Sequence, residues 1–119
     1  MDLKDTALLR AQAYIGGQWV DAASGMRCPV INPATLDTIG TVPEMGAQET
    51  RVAIDAAFAA FPSWAARTAK DRAGILRRWF DLMMANQEDL ARILTAEQGK
   101  PLAEARGEIA YAASYLEWF

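Results

Sequence analysis

A helix-period stretch near the carboxyl end, Leu102 to Phe119, is apolar on two sides at once. Leu102, Ala105, Ile109, Ala112 and Leu116 form one stripe, and Tyr111, Tyr115 and Trp118 form a second. A helix sheathed in this way must be buried on more than one face. No glycine, proline or basic residue closes the pattern before Phe119, so the expectation is the opening part of a longer protein.

Upstream, the chain changes character. Tyr14-Ile15-Gly16-Gly17-Gln18-Trp19-Val20 sets a Gly-Gly pair between β-formers, which predicts a hairpin with a two-residue turn. Ser24-Gly25 predicts a second turn and Cys28–Ile31 a strand. Asn32-Pro33-Ala34-Thr35 predicts another turn, because the residue before proline is pushed out of the helical region. Thr38–Val42 is a further strand, closed by Pro43. From Ala47, Ile54, Ala57, Phe58 and Phe61 recur on one helical face, and Pro62 is expected to end that helix. Thr68 and Asp71 resemble a capping box ahead of a helix carrying Leu76, Trp79, Phe80 and Met83. Asn86 is expected to cap a third helix, with Glu88 and Asp89 in its first turn. Gly99 supplies its stop, and Pro101 opens the fourth. The layout is therefore strands over residues 8–43 and helices over 47–119.

Residue types exclude much chemistry. The 119 residues contain no histidine and one cysteine. That rules out, within this chain, a Ser-His-Asp triad, a Cys-His pair, an imidazole metal site and an internal disulfide. With 12 Lys+Arg against 15 Asp+Glu, the net charge is −3. Such a balance offers no footprint for nucleic acid or an anionic membrane. No apolar run reaches the ~20 residues of a membrane span, and the amino terminus carries acids rather than a presequence. A soluble cytoplasmic protein is expected.

The remaining candidates read as structural. Cys28, beside Arg27 and before Pro29, is read as a strand thiol filling a small apolar gap. Glu104 and Glu108 share a helix face but have no histidine to complete a metal set, and with Glu97 and Glu117 they read as solvated. Gly16-Gly17 sits in a hairpin with no helix behind it, so it is no phosphate loop. Trp79-Phe80 and Met83-Met84 read as core, and Arg77-Arg78 as a solvated edge. On these grounds no catalytic, cofactor-binding or metal-binding residue is expected in the chain.

Four motifs in order, Tyr14–Val20, Asn32–Thr35, Phe61-Pro62-Ser63-Trp64 and Glu97-Gln98-Gly99-Lys100-Pro101, resemble the amino-terminal region of the NAD(P)-dependent aldehyde dehydrogenases. The likeness runs from Leu9 to Phe119. Within the family, the run from Gly99 to Phe119 is most similar to the succinate-semialdehyde dehydrogenases. The resemblance implies an α/β fold with a Rossmann-like cofactor domain, of which residues 1–119 form the amino-terminal part. The catalytic domain would lie outside this chain. It implies oxidation of a small aldehyde, with NAD or NADP bound by the full-length protein, which is expected to be a homo-oligomer. In the family a cysteine thiolate attacks the aldehyde and hydride passes to the nicotinamide. A glutamate-activated water then releases the acid, while an asparagine amide and a backbone N–H hold the oxyanion. Those parts belong to later segments, and Cys28 does not match the catalytic motif. Some members hold a monovalent cation through backbone carbonyls at the positions of Val30 and Ile31. A stand-alone helical binding module without chemistry is the alternative reading.

Overall fold

The computed structural model describes every residue from Met1 to Phe119. Four strands come first: β1 (Ala13–Ile15), β2 (Gln18–Val20), β3 (Arg27–Ile31) and β4 (Thr38–Pro43). Four helices follow: α1 (Ala47–Ala65), α2 (Ala69–Ala85), α3 (Gln87–Gln98) and α4 (Leu102–Trp118). The strands pair antiparallel as two separate hairpins, β1 with β2 and β3 with β4. The chain divides into two compact units.

One unit comprises residues 10–31 and 38–66. Gly16 and Gly17 make the expected tight turn, with φ of 58° and 84°, the left-handed values that such a hairpin turn demands. Tyr14 and Trp19 face each other across the hairpin with ring centroids 5.1 Å apart. Helix α1 starts at Gly46, where Glu49 reaches back to accept the Gly46 N–H at 3.0 Å. A second N–H, from Ala23, comes to the same carboxylate at 3.2 Å.

Helix α1 departs from expectation at two points. Pro62 does not end it, since the helix runs on to Ala65. So near the carboxyl end the missing N–H removes one bond, and the last turn survives through Ala66 N–H donating to the Pro62 carbonyl at 3.0 Å. The Ile54, Phe58 and Phe61 stripe faces outward, with Phe58 79% exposed. The half-buried side holds the small residues Ala53 and Ala56, and a methyl group on Gly16 would lie 3.8 Å from the Ala56 Cβ. Small side chains let backbones approach closely.

The other unit comprises residues 1–9, 32–37 and 67–119. Thr68 caps α2 as expected, its hydroxyl accepting the Asp71 N–H at 3.2 Å while donating to the Asp71 carboxylate at 2.7 Å. Leu76, Phe80 and Met83 are half-buried, but Trp79 on the same expected stripe is exposed. Asn86 does not cap α3 through its side chain. Only this residue separates α2 from α3, and its amide donates to the Leu82 carbonyl at 2.9 Å, closing the helix before it. Gly99 stops α3 in the left-handed conformation, φ 81°, its N–H donating to the Thr95 carbonyl at 2.8 Å. Pro101 stands just ahead of α4 and accepts its first helical bond, from Ala105.

Helix α4 packs against both α2 and α3. Ala91, Ala105 and Ala113 are fully buried, while no large side chain in the chain is. Ala112, read into the first stripe, is exposed and Ala113 takes its place. Tyr111, Tyr115, Trp118 and Phe119 are all exposed, Trp118 by 84%.

Candidate functional site

Polar side chains gather in three places. The first is at the start of α3. Glu88 accepts from Arg106 Nε at 2.7 Å, from Arg106 Nη2 at 3.1 Å and from Arg92 Nε at 3.0 Å. The Arg106 hydrogen bond, helped by Arg92 and the charge of both guanidiniums, holds the Glu88 carboxyl down to about 2. Next to it, Asp89 is the chain's buried charged residue, only 4% exposed. Its two oxygens accept backbone N–H groups from Lys4, at 3.1 Å, and Asp5, at 2.8 Å. Those amides, Asp5 foremost, hold its carboxyl below the usual range. Gln87 donates to the Arg106 carbonyl at 2.9 Å, tying the start of α3 to α4.

The second place is Arg27 on β3. Its guanidinium donates to Thr41 Oγ1 at 2.8 Å and to the Thr41 carbonyl at 2.9 Å, and also to Asp21 and the Ala11 carbonyl. Asp21 also accepts from Gln12 at 2.7 Å, and with Arg27 this lowers its carboxyl. Thus the two hairpins share no ladder, but one arginine stitches them together.

Cys28 follows Arg27 and pairs in register with Val42. Its thiol is exposed, against the expectation of a buried gap-filler. It shares a strand face with Val30, two residues on, but only Val30 is half-buried, so that face is covered at one end and open at Cys28. Arg27 does not activate it, being spent on Thr41 and Asp21. Partial desolvation and the Glu44 carboxylate push the thiol above its ordinary pKa, the reverse of what a nucleophile needs.

The third place is the outer face of α4. Tyr111 and Tyr115 meet edge-on with centroids 5.1 Å apart and their hydroxyls hydrogen-bonded. That bond raises the Tyr115 phenol. Glu108 pairs with Lys100 and Glu117 with Arg77, the latter at 2.9 Å; Glu97 and Glu104 are exposed. Arg77 also pairs with Asp81 and lies over the Phe80 ring.

Two features bear on a dinucleotide. Each helix carries an acid in its first turn, Glu49, Asp71, Glu88 with Asp89, and Glu104. Carboxylates there compete with a phosphate for the helix N-terminus. The Gly16-Gly17 pair is occupied in a hairpin turn. Both features disfavour a phosphate at these particular positions. The segment at Val30 and Ile31 is where the β3–β4 register slips, with Val30 opposite Gly40 and Ile31 opposite Thr38. Beside β1 and β2, an apolar groove of about 440 Å³ is lined by Ile15, Val20, Met45, Val52 and Ala56. Its two acids, Asp21 and Glu49, are already partnered.

Sequence reasoning missed the contacts of four well-connected residues, Glu49, Asp89, Arg27 and Arg106, although it did set Asp89 in the first turn of α3. A glutamate three residues after Gly46 was a readable helix-start signal. The partners of the other three are distant backbone groups or side chains with no local signature.

Comparison with known proteins places this arrangement. The pattern of the aldehyde dehydrogenase family matches residues 19–119. The chain is 66% identical over its 119 residues to the glutarate-semialdehyde dehydrogenase of Pseudomonas aeruginosa, and 62% to an NADP(+) succinate-semialdehyde dehydrogenase of Escherichia coli. All of this chain is covered in both comparisons, but 25% of each relative, so the chain spans about a quarter of the length of these proteins. A crystal structure of succinate-semialdehyde dehydrogenase from Burkholderia pseudomallei superposes with a TM-score of 0.96 at 63% identity. It covers 99% of this chain and 24% of that one. The hairpins and four helices are those of the corresponding portion of these enzymes, and the chain belongs to the aldehyde dehydrogenase family.

Proposed function

We propose that residues 1–119 are the amino-terminal part of the cofactor-binding domain of an NAD(P)-dependent dehydrogenase whose substrate is a semialdehyde bearing a distal carboxylate. The observation that carries this reading is the 62–66% identity, over the whole chain, to enzymes named for succinate and glutarate semialdehydes. Those two substrates differ by one methylene, which a pocket discriminates by roughly 10–200-fold. Succinate semialdehyde, favoured by the run from Gly99 to Phe119, is the first choice.

The chain's own chemistry agrees with a supporting role. Its lone thiol is deactivated and its helix starts are acidic, so the nucleophile and the dinucleotide cradle belong to other parts of the enzyme. The outward apolar faces of α1 and α4, where Phe58 and Trp118 are largely exposed, are surfaces for the rest of the enzyme, or a second subunit, to cover. A cytoplasmic homo-oligomer is the corresponding assembly.

The test is a substrate panel on the full-length protein with NAD and NADP in turn. Succinate semialdehyde should show the highest kcat/KM, followed by glutarate semialdehyde, with acetaldehyde and benzaldehyde far behind. Preference for glutarate semialdehyde would move the substrate by one methylene and keep the class. Equal turnover of an uncharged aldehyde would overturn the distal-carboxylate reading.

A further inference from the structure

We propose that residues 1–9 form a strap latched to α3 by the Asp89 carboxylate, and that this segment opens as a unit when the latch is lost. Three polar contacts tie the segment to α3. Two are the N–H groups of Lys4 and Asp5 on Asp89, and the third is Arg92 Nη1 on the Asp2 carbonyl at 3.2 Å. On the strap side every partner is backbone. The segment is therefore recognised by its path rather than its side chains.

The latch is built rather than incidental. Asp89 sits three residues into α3, where a carboxylate ordinarily serves its own helix start. Here both oxygens turn away to successive amides of the strap. Asn86 makes no side-chain cap in its stead. The strap is prefolded at the point of capture. Asp5, whose N–H is held, uses its own carboxylate to accept the Ala7 N–H at 2.9 Å, starting a single 3₁₀ turn over Thr6–Leu8. Burial strengthens the latch, because with the strap in place the carboxylate is 4% exposed and relies on the two amides it accepts from. The charged groups facing it are Lys4 and Arg92. Glu88 stands beside it but is committed to Arg92 and Arg106. A pocket of about 110 Å³ between strap and helix, lined by Leu3, Glu88 and Arg92 among others, is what opening would enlarge.

Amide hydrogen exchange on the full-length protein tests the strap directly. In Asp89→Asn, exchange within residues 1–9 should rise about tenfold or more while peptides from α4 keep their wild-type rates. Lys4→Pro deletes one of the two donors without touching α3, and should give the same local pattern more weakly. It also keeps the test decisive where the Asp89 variant folds poorly. Accelerated exchange throughout α3 and α4 in both variants would make Asp89 a general fold residue and overturn the strap. Unchanged exchange over residues 1–9 would overturn it equally.

Discussion

Pro33 and Gly99 touch: a methyl group built on Gly99 would lie 2.9 Å from the Pro33 Cγ. Two motifs that look unrelated in the sequence, the Asn-Pro turn and the Gln-Gly-Lys-Pro run, are thus two sides of one contact. Gly99 carries two constraints there, a left-handed φ of 81° and the absence of a side chain.

Those constraints separate experimentally. Gly99→Ala should lower stability by about 2–3 kcal/mol, from the backbone strain and the crowding together. Gly25→Ala, at φ 70° with open space around it, should lose about 1 kcal/mol from strain alone. Urea midpoints for the two variants give the comparison. Equal losses would mean that Pro33 moves aside freely.

The Glu88 cluster predicts an acid dependence. Its carboxyl is held down to about 2, chiefly by Arg106 and then Arg92, against about 4.3 in an unfolded chain. A depressed folded pKa contributes stability above the unfolded value, which is lost as pH falls from about 4–5 toward 2. Glu88→Gln should therefore be less stable than wild type at pH 7, and the gap should narrow as pH falls below about 4, closing only toward pH 2. Denaturation curves at stepped pH check this. A constant gap across the range would show that the charge is not what Glu88 contributes.

Cys28 should be both dispensable and sluggish. In the full-length enzyme, Cys28→Ser should keep kcat within about threefold, where loss of a nucleophile would cost orders of magnitude. As the thiol is exposed, stability should stay within about 0.5 kcal/mol. Its alkylation near neutral pH should be slower than that of a small free thiol, and Glu44→Gln should speed it. Fast alkylation that ignores Glu44 would contradict the deactivating environment described above.

Studied by itself, the 119-residue chain should bind a hydrophobic dye through the outer faces of α1 and α4. Phe58→Lys together with Trp118→Lys should at least halve the dye signal without changing helical circular dichroism, since both side chains are largely exposed. A dye-silent wild-type chain would remove these faces as candidates for cover.

Local chemistry was the legible part of the fold. Gly16-Gly17, Thr68 and Gly99 each demand one backbone conformation from their immediate neighbours, and each adopts it. Direction was less legible. The bulky stripe of α1 carries the stronger periodic signal, yet Ala53 and Ala56 take the inner side, because close approach favours small residues that periodicity hardly registers. Leu36 was equally silent. It occupies a left-handed φ of 64° in the Asn-Pro turn, where the rules expect glycine or asparagine, and its N–H donates to the Asn32 carbonyl at 2.8 Å. Asp89 read as a favourable first-turn acid, which it is, but its partners lie 84 and 85 residues away.

The buried seam of alanines on α3 and α4 has a mechanical consequence. Alanine has no rotamers, so Ala91, Ala105 and Ala113, all fully buried, have no alternative packing to switch into. The helix axes can neither part nor roll without opening a gap, and any bulkier side chain would wedge them apart. Helix α4 is thereby clamped at one rotation about its own axis. The bearing of its aromatic ridge is held by the buried methyl groups of Ala105 and Ala113 on its other faces.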